Sequence, residues 1–231
     1  MDGNGRWAKA RNLPRTMGHQ RGAEAVRRVV KEAGELGVKY VTLFGFSTEN
    51  WSRPAEEVKE LMRLLRMYLR SETAELHSSN VCMRVIGRRE QLEPDIVTLI
   101  EQAETLTKDN TSITVIIALN YGGRQDILCA AAKMAADMQD KGVAPSYDAA
   151  EEYFTQNLST AGIPDPEILI RTSGEQRVSN FLLWQCAYSE MVFTPTLWPD
   201  FSRADLEAAI AEFNKRDRRF GGLSSSSQQG G

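Results

Sequence analysis

The sequence predicts an α/β protein, a single domain whose mostly parallel central sheet is flanked by helices. Three observations predict it. Short β-branched runs alternate with amphipathic helical stretches along the 231 residues. The strand centres are continuously apolar rather than alternating, as in sheets buried on both faces. Polar motifs follow the strand ends, where ligands collect in open α/β sheets.

In chain order, residues 22–37 read as a helix, with Ala23, Val26, Val30 and Ala33 on one face and Gly37 at its stop. Val38–Phe46 is a β-branched and aromatic strand. Pro54 opens a long helix, with Glu56 and Glu57 near its positive end and Leu61, Leu64, Leu65, Tyr68, Leu69 and Leu76 as its apolar stripe. A strand at Val81–Ile86, a helix at 91–107 and a nearly all-apolar strand at Ser112–Leu119 follow. Helices over 123–141 and 147–158, a strand at Glu167–Arg171, a helical segment at Asn180–Ala187, a strand at Met191–Thr194 and a helix over 202–215 complete the pattern. One domain is expected over residues 1–222, and the Ser/Gln/Gly run of residues 223–231 reads as a disordered tail.

The net charge of −3 argues against bulk nucleic-acid binding. Residues 1–31 nevertheless hold eight Lys/Arg against Asp2 and Glu24. That fits a small anionic ligand, or a solvated helix face. Cys82, Cys129 and Cys186 are far apart and unpatterned, as expected of reduced thiols in the cytoplasm. No leader is visible before the first motif, and the longest apolar run, Ile113–Leu119, is broken by Thr114 and falls far short of the roughly 20 residues that cross a bilayer.

Three motifs carry chemistry. In Asp2-Gly3-Asn4-Gly5-Arg6-Trp7-Ala8, the glycine N–H groups and Arg6 suit phosphate oxygens. Asp2 would repel bare phosphate, so its presence points to a bridging divalent cation such as Mg2+. A Gly-rich turn, or a weak dinucleotide fingerprint, reads the same residues. Ser47-Thr48-Glu49-Asn50-Trp51-Ser52-Arg53 gathers polar groups between a strand end and a helix start; a plain helix-capping loop is the alternative. In the third, Arg171 and Arg177 stand six residues apart in a loop with hydroxyls, suited to a diphosphate, and Ser179 with the following helix start adds donors; a surface loop with incidental arginines is the alternative. His19 reads equally as a phosphate donor or a structural residue.

Taken together, MDGNGRWA, GHQRGAEAV, FGFSTENWSRP, NYGGRQDI, RTSGEQRVSNFLLWQ and RDRRFGG resemble the cis-prenyltransferases, most closely the bacterial undecaprenyl diphosphate synthases. The resemblance implies condensation of isopentenyl diphosphate with an allylic diphosphate, farnesyl diphosphate foremost, to a long Z-polyprenyl diphosphate serving the cell wall. It implies Mg2+ on Asp2 with help from Glu190, and Asn50 as proton acceptor. Gly3, Asn4, Gly5, Arg6, Trp7, Arg15 and His19 would surround the allylic diphosphate. Ser47, Thr48, Glu49, Trp51 and Arg53 would shape the reaction centre, and Arg171, Arg177, Val178 and Ser179 would bind isopentenyl diphosphate. Arg219 and Gly221 would reach the partner's site in a homodimer. The product would grow into an apolar tunnel walled by Leu61, Leu64, Leu65, Leu69, Val85, Ile96 and Ile100, though helix-to-sheet core packing reads each of these residues equally well. A cytoplasmic location follows, with peripheral contact at the inner membrane face through the lipid product. A shorter-chain cis-prenyltransferase and a non-catalytic partner subunit are the alternatives.

One departure stands out. Family members carry an apolar strand directly before the first motif, whereas only Met1 precedes Asp2 here. Either the chain starts earlier, or the sheet lacks its first strand; in the second case the opening residues are expected to fray.

Overall fold

The computed structural model describes residues 1–144 and 146–216. Arg219, Gly221 and the expected tail lie outside them. The elements run α1 (Asn4–Ala10), α2 (Arg15–Glu35), β1 (Tyr40–Ser47), a 3-10 turn (Thr48–Ser52), α3 (Ala55–Ser78), β2 (Val81–Ile86) and α4 (Pro94–Thr107). They continue with β3 (Ile113–Tyr121), α5 (Gly123–Asp140), α6 (Tyr147–Asn157), β4 (Ile168–Arg171), β5 (Glu190–Phe193), a second 3-10 turn (Trp198–Asp200) and α7 (Arg203–Asn214).

Every strand pair is parallel, as expected for βαβ connections. The strands form two sheets, however: β1-β3-β2 and β4-β5. Among the described residues, β1 pairs only with β3 and β4 only with β5. A single cavity of about 1600 Å³ is lined by both Val41–Gly45 of β1 and Ile168–Arg171 of β4. The cavity thus lies between the edge strand of one sheet and the two-stranded sheet.

Two elements differ from expectation. Helix α2 starts at Arg15, seven residues early, because Pro14 sets its entry and Gly18 and Gly22 are needed inside it. A Cβ on Gly18 would lie 2.0 Å from the Asn4 carbonyl oxygen, and one on Gly22 would lie 2.5 Å from Asn4 Oδ1. These glycines let α1 sit on α2. The helical segment expected at 180–187 is instead a run of turns, since Ser179, Asn180 and Leu182 have left-handed backbones (φ 51°, 60° and 42°). Ser179 therefore does not open a helix, and the donors expected from a helix start there are absent.

The core divides around β3. Ala25, Val29, Leu43, Val115 and Trp198 form one cluster. Phe46, Met83, Ile96, Ile100 and Leu119 form a second beneath α3 and α4, on the same face, since Val115 and Leu119 are four residues apart on one strand. Ile116 and Ala118 pack on the opposite face with Leu169 and Leu182. Of the seven expected tunnel-wall residues only Leu61 lines the large cavity. Leu64 is buried, Leu69, Ile96 and Ile100 belong to the α3–α4 core, and Leu65 and Val85 pack against that core.

Candidate active site

The opening residues are anchored rather than frayed. Asp2 N–H donates to Thr172 Oγ1 (2.9 Å), Thr172 Oγ1 donates back to the Asp2 carbonyl (3.0 Å), and Trp198 N–H donates to the same carbonyl (2.9 Å). The Asp2 carboxylate accepts from Gly3 N–H (2.8 Å) and Arg171 Nη2 (3.2 Å), with Arg6 Nη2 at 3.7 Å. Burial opposes its charge, but the hydrogen bonds from Arg171 and Gly3 outweigh burial and hold the carboxyl below its usual range.

Arg6 bridges the first and third motifs: its guanidinium donates to Ser173 O (3.0 Å) and Ser173 Oγ (2.6 Å) and pairs with Glu175 (3.1 Å). Glu175 also pairs with Arg177. Arg171 donates to Ser179 Oγ (2.8 Å) and to the Arg177 carbonyl. Asp2, Gly3, Asn4, Gly5, Arg6, Arg171, Val178 and Ser179 all line the large cavity.

The far side of the mouth is built from helix starts. Arg15 begins α2 and Arg53 precedes α3; each places Nη1 3.0 Å from a carboxylate oxygen of Glu57. His19 Nε2 lies 3.8 Å from Glu57 Oε1, shielded from solvent and without a hydrogen-bond partner among the described residues. Burial depresses the His19 imidazole below its ordinary value; Glu57 pulls the other way, and Arg53 and Arg15 add to the depression.

The second motif splits in two. Ser47, Glu49, Asn50 and Arg53 line the cavity. The Asn50 side-chain oxygen accepts from Ser47 N–H (3.1 Å), which fixes the 3-10 turn. Trp51 turns away: it packs edge-on against Phe46 and donates from Nε1 to Asn120 Oδ1 (2.8 Å). Neither Trp51 nor Thr48 lines the cavity. Trp7 is also structural in place, its ring buried and its Nε1–H donating to Asp200 (2.7 Å).

Glu190 is not brought to Asp2. It opposes Ile168 at the start of the β4–β5 pair, whereas Asp2 meets Arg171 at the other end. Three residues of strand separate those positions by roughly 10 Å, and Glu190 is held by Arg216 (2.7 Å). Among the described residues no cluster of three potential metal ligands occurs. Asp2 would suit a divalent cation that takes one protein carboxylate and completes its shell with substrate phosphates and water.

Sequence reasoning missed several residues. Thr172 anchors Asp2. Asn180 ties three motifs together, donating to Glu49 (2.9 Å) and Gln125 (3.2 Å) and accepting from Arg124 N–H (2.9 Å). The signal for Asn180 was its residue type, since asparagine tolerates the left-handed backbone. The signal for Glu57 was its i,i+4 spacing from Arg53, masked because Arg53 lies outside the helix.

A family model described as putative undecaprenyl diphosphate synthase matches residues 1–221. The chain belongs to the cis-prenyltransferase family. This cis-prenyltransferase is 55% identical to isoprenyl transferase 2 of Bradyrhizobium diazoefficiens over 96% of its own length and 88% of that protein. It is 54% identical to the isoprenyl transferase of Agrobacterium fabrum, covering 96% and 90% of the two chains. Among solved structures, lavandulyl diphosphate synthase from Lavandula x intermedia, in complex with dimethylallyl diphosphate, superposes with a TM-score of 0.91 at 39% identity, covering 96% and 95% of the chains. A probable undecaprenyl diphosphate synthase from Campylobacter jejuni gives 0.77 at 33% identity, covering 87% and 92%. The cis-prenyltransferase is thus a prenyl-transferring enzyme with an α/β fold, and no helix among its described residues is long and apolar enough to cross a membrane.

Proposed function

We propose that this prenyltransferase condenses isopentenyl diphosphate with an allylic diphosphate, farnesyl diphosphate foremost, and repeats the step to a long Z-polyprenyl diphosphate of undecaprenyl type. The observation that carries the reading is the meeting of Asp2, Arg6 and Arg171 at one mouth of the large cavity. One carboxylate and several guanidinium groups there suit two diphosphates and a divalent cation. Gly3 to Arg6, with Arg15, His19 and Arg53, would hold the allylic diphosphate, and Arg171, Arg177 and Ser179 the isopentenyl diphosphate.

In the reaction the isopentenyl double bond attacks the allylic carbon as diphosphate leaves. Arg6, Arg15 and Arg53 would stabilise the charge growing on the leaving group. Mg2+ held by Asp2 would add Lewis-acid stabilisation of the same charge. Asn50, at the cavity wall, would face the carbon that loses its proton as the new double bond forms. The apolar β1 and β4 flanks would exclude water from the allylic centre. A homodimer is supported by the exposed Trp184, Tyr188 and Phe193 on and beside β5, and membrane contact would be peripheral, through the product.

The test is turnover of radiolabelled isopentenyl diphosphate with farnesyl diphosphate and Mg2+, followed by chromatography of product length. Asp2→Ala should lose at least ~100-fold in rate, as when a charge-stabilising group is removed. Turnover near that of the unaltered enzyme would remove Asp2 from the reaction. Exclusive use of dimethylallyl diphosphate, the compound bound in the lavender enzyme, with a short product would favour a short-chain synthase.

A further inference from the structure

Glu57 is the one carboxylate that both arginines on the helix-start side of the mouth share. Arg15 Nη1 lies 3.0 Å from its Oε2 and Arg53 Nη1 lies 3.0 Å from its Oε1. Arg15, His19 and Arg53 line the cavity, but Glu57 does not; its carboxylate sits behind the cations, 14% exposed. Arg15 in turn lies against the phosphate-type loop, so that a Cβ on Gly5 would come within 3.0 Å of Arg15 Nε. One negative charge facing two positive ones leaves a net positive cluster open to a polyanion. His19 Nε2, 3.8 Å from Oε1 and unpartnered, is one short movement from a hydrogen bond to the same carboxylate.

We propose that Glu57 is a resident stand-in for the substrate anion: it holds Arg15 and Arg53 in the ligand-free enzyme, yields both guanidinium groups to an arriving diphosphate, and turns to His19. The inference rests on the reading that this mouth takes diphosphates. The exchange is physically balanced. A diphosphate offers more charge and more acceptor oxygens than one carboxylate, so it wins the arginines. Glu57 is not then stranded, because it lies in the first turn of α3, where the helix dipole favours an anion. The arriving anion also favours a protonated His19, which can pair with Glu57. The charged groups facing His19 are Glu57 and Glu60 on α3, Arg53 before it and Arg15 on α2. Occupancy of the mouth would in this way be felt at the start of α3, a helix that covers one face of the core.

A residue that merely braced the arginines would help diphosphate bind; a competitor hinders it. Calorimetric titration of the full chain with inorganic diphosphate separates the two. In Glu57→Gln the Kd for diphosphate should fall by about twofold to fivefold, the range expected when exposed ion pairs that compete for the arginines are removed. Glu57→Asp should stay near the unaltered value. A Glu57→Gln variant that melts normally yet binds diphosphate equally or more weakly overturns the proposal. A second measurement needs no variant: the His19 titration midpoint, followed by NMR in the unaltered enzyme, should rise when inorganic diphosphate is added, and an unmoved midpoint also overturns it. If the unaltered enzyme neither binds diphosphate nor elongates farnesyl diphosphate, the functional reading itself fails. If it does both while Glu57→Gln binds no tighter, only the role of Glu57 falls.

Discussion

Strands β3 and β4 are both apolar and parallel, yet they are held in different ways. Strand β3 has a partner on each side, and seven of its nine residues, from Ile113 to Tyr121, are buried. Strand β4 has four residues, one partner and a flank on the large cavity, with Leu169 its only buried residue. The diphosphate-type groups Asp2, Arg6 and Arg171 all gather at the β4 end. There the backbone is fixed by point contacts, Thr172 to Asp2 and Ser173 to Arg6, rather than by dense packing. The molecule therefore separates a densely packed half from a lightly tied half that carries Asp2, Arg6 and Arg171.

Truncations in the two strands sharpen that contrast most. Ile116→Ala should cost about 4 kcal/mol, because its side chain is fully buried among close-packed neighbours that cannot collapse onto the hole. Leu169→Ala should cost about 2 kcal/mol, since one flank of its strand already borders open space. Denaturant unfolding of both variants checks this, and equal costs would erase the distinction between the halves. Next in size comes Thr172→Val. It removes both hydrogen bonds that clasp Asp2 and should destabilise by about 1–2 kcal/mol. Its turnover should fall more than tenfold, because a small misplacement of reacting groups is costly. A variant equally impaired in folding and turnover would mean that the clasp is structural only.

Much of this was readable in the residues. The strands β1, β2 and β3 follow from β-branched runs, and α3 from its leucine stripe after Pro54, since local pattern and final burial agree there. The early start of α2 was hidden because Gly18 and Gly22 disfavour a helix locally; only their contact with Asn4 across α1 explains them. The turns at 180–187 were misjudged for the opposite reason. The apolar stretch from Phe181 to Ala187 reads as a helical segment, but three left-handed residues close the loop around Asn180 instead. At the site, Asp2, Arg6 and Arg171 were legible as charge patterns in glycine-rich loops. The placement of Trp7 and Trp51 was not, because an indole in a polar motif reads the same whether it faces a ligand or donates inward, as Trp51 does to Asn120. Glu190 was out of reach of any local rule, since its distance from Asp2 depends on the β4–β5 register.

The smallest expected effect lies on the helix-start side, and its sign can be worked out. The His19 imidazole is held below its ordinary value of about 6.5, chiefly by burial. Between the depressed folded midpoint and the ordinary value, the unfolded chain binds the proton and the folded chain does not. Stability from this group is therefore complete above about pH 6.5 and is lost as the pH falls toward the folded midpoint. Replacing His19 with glutamine should flatten that part of the stability profile, measured as the midpoint of urea unfolding between pH 7.5 and 5. The helix-start side would then have a pH response of its own, which Ile116→Ala retains because every group around His19 is intact in it. A His19→Gln profile as steep as that of the unaltered enzyme would place the titrating group elsewhere and leave the His19 nitrogen an inert neighbour of Glu57.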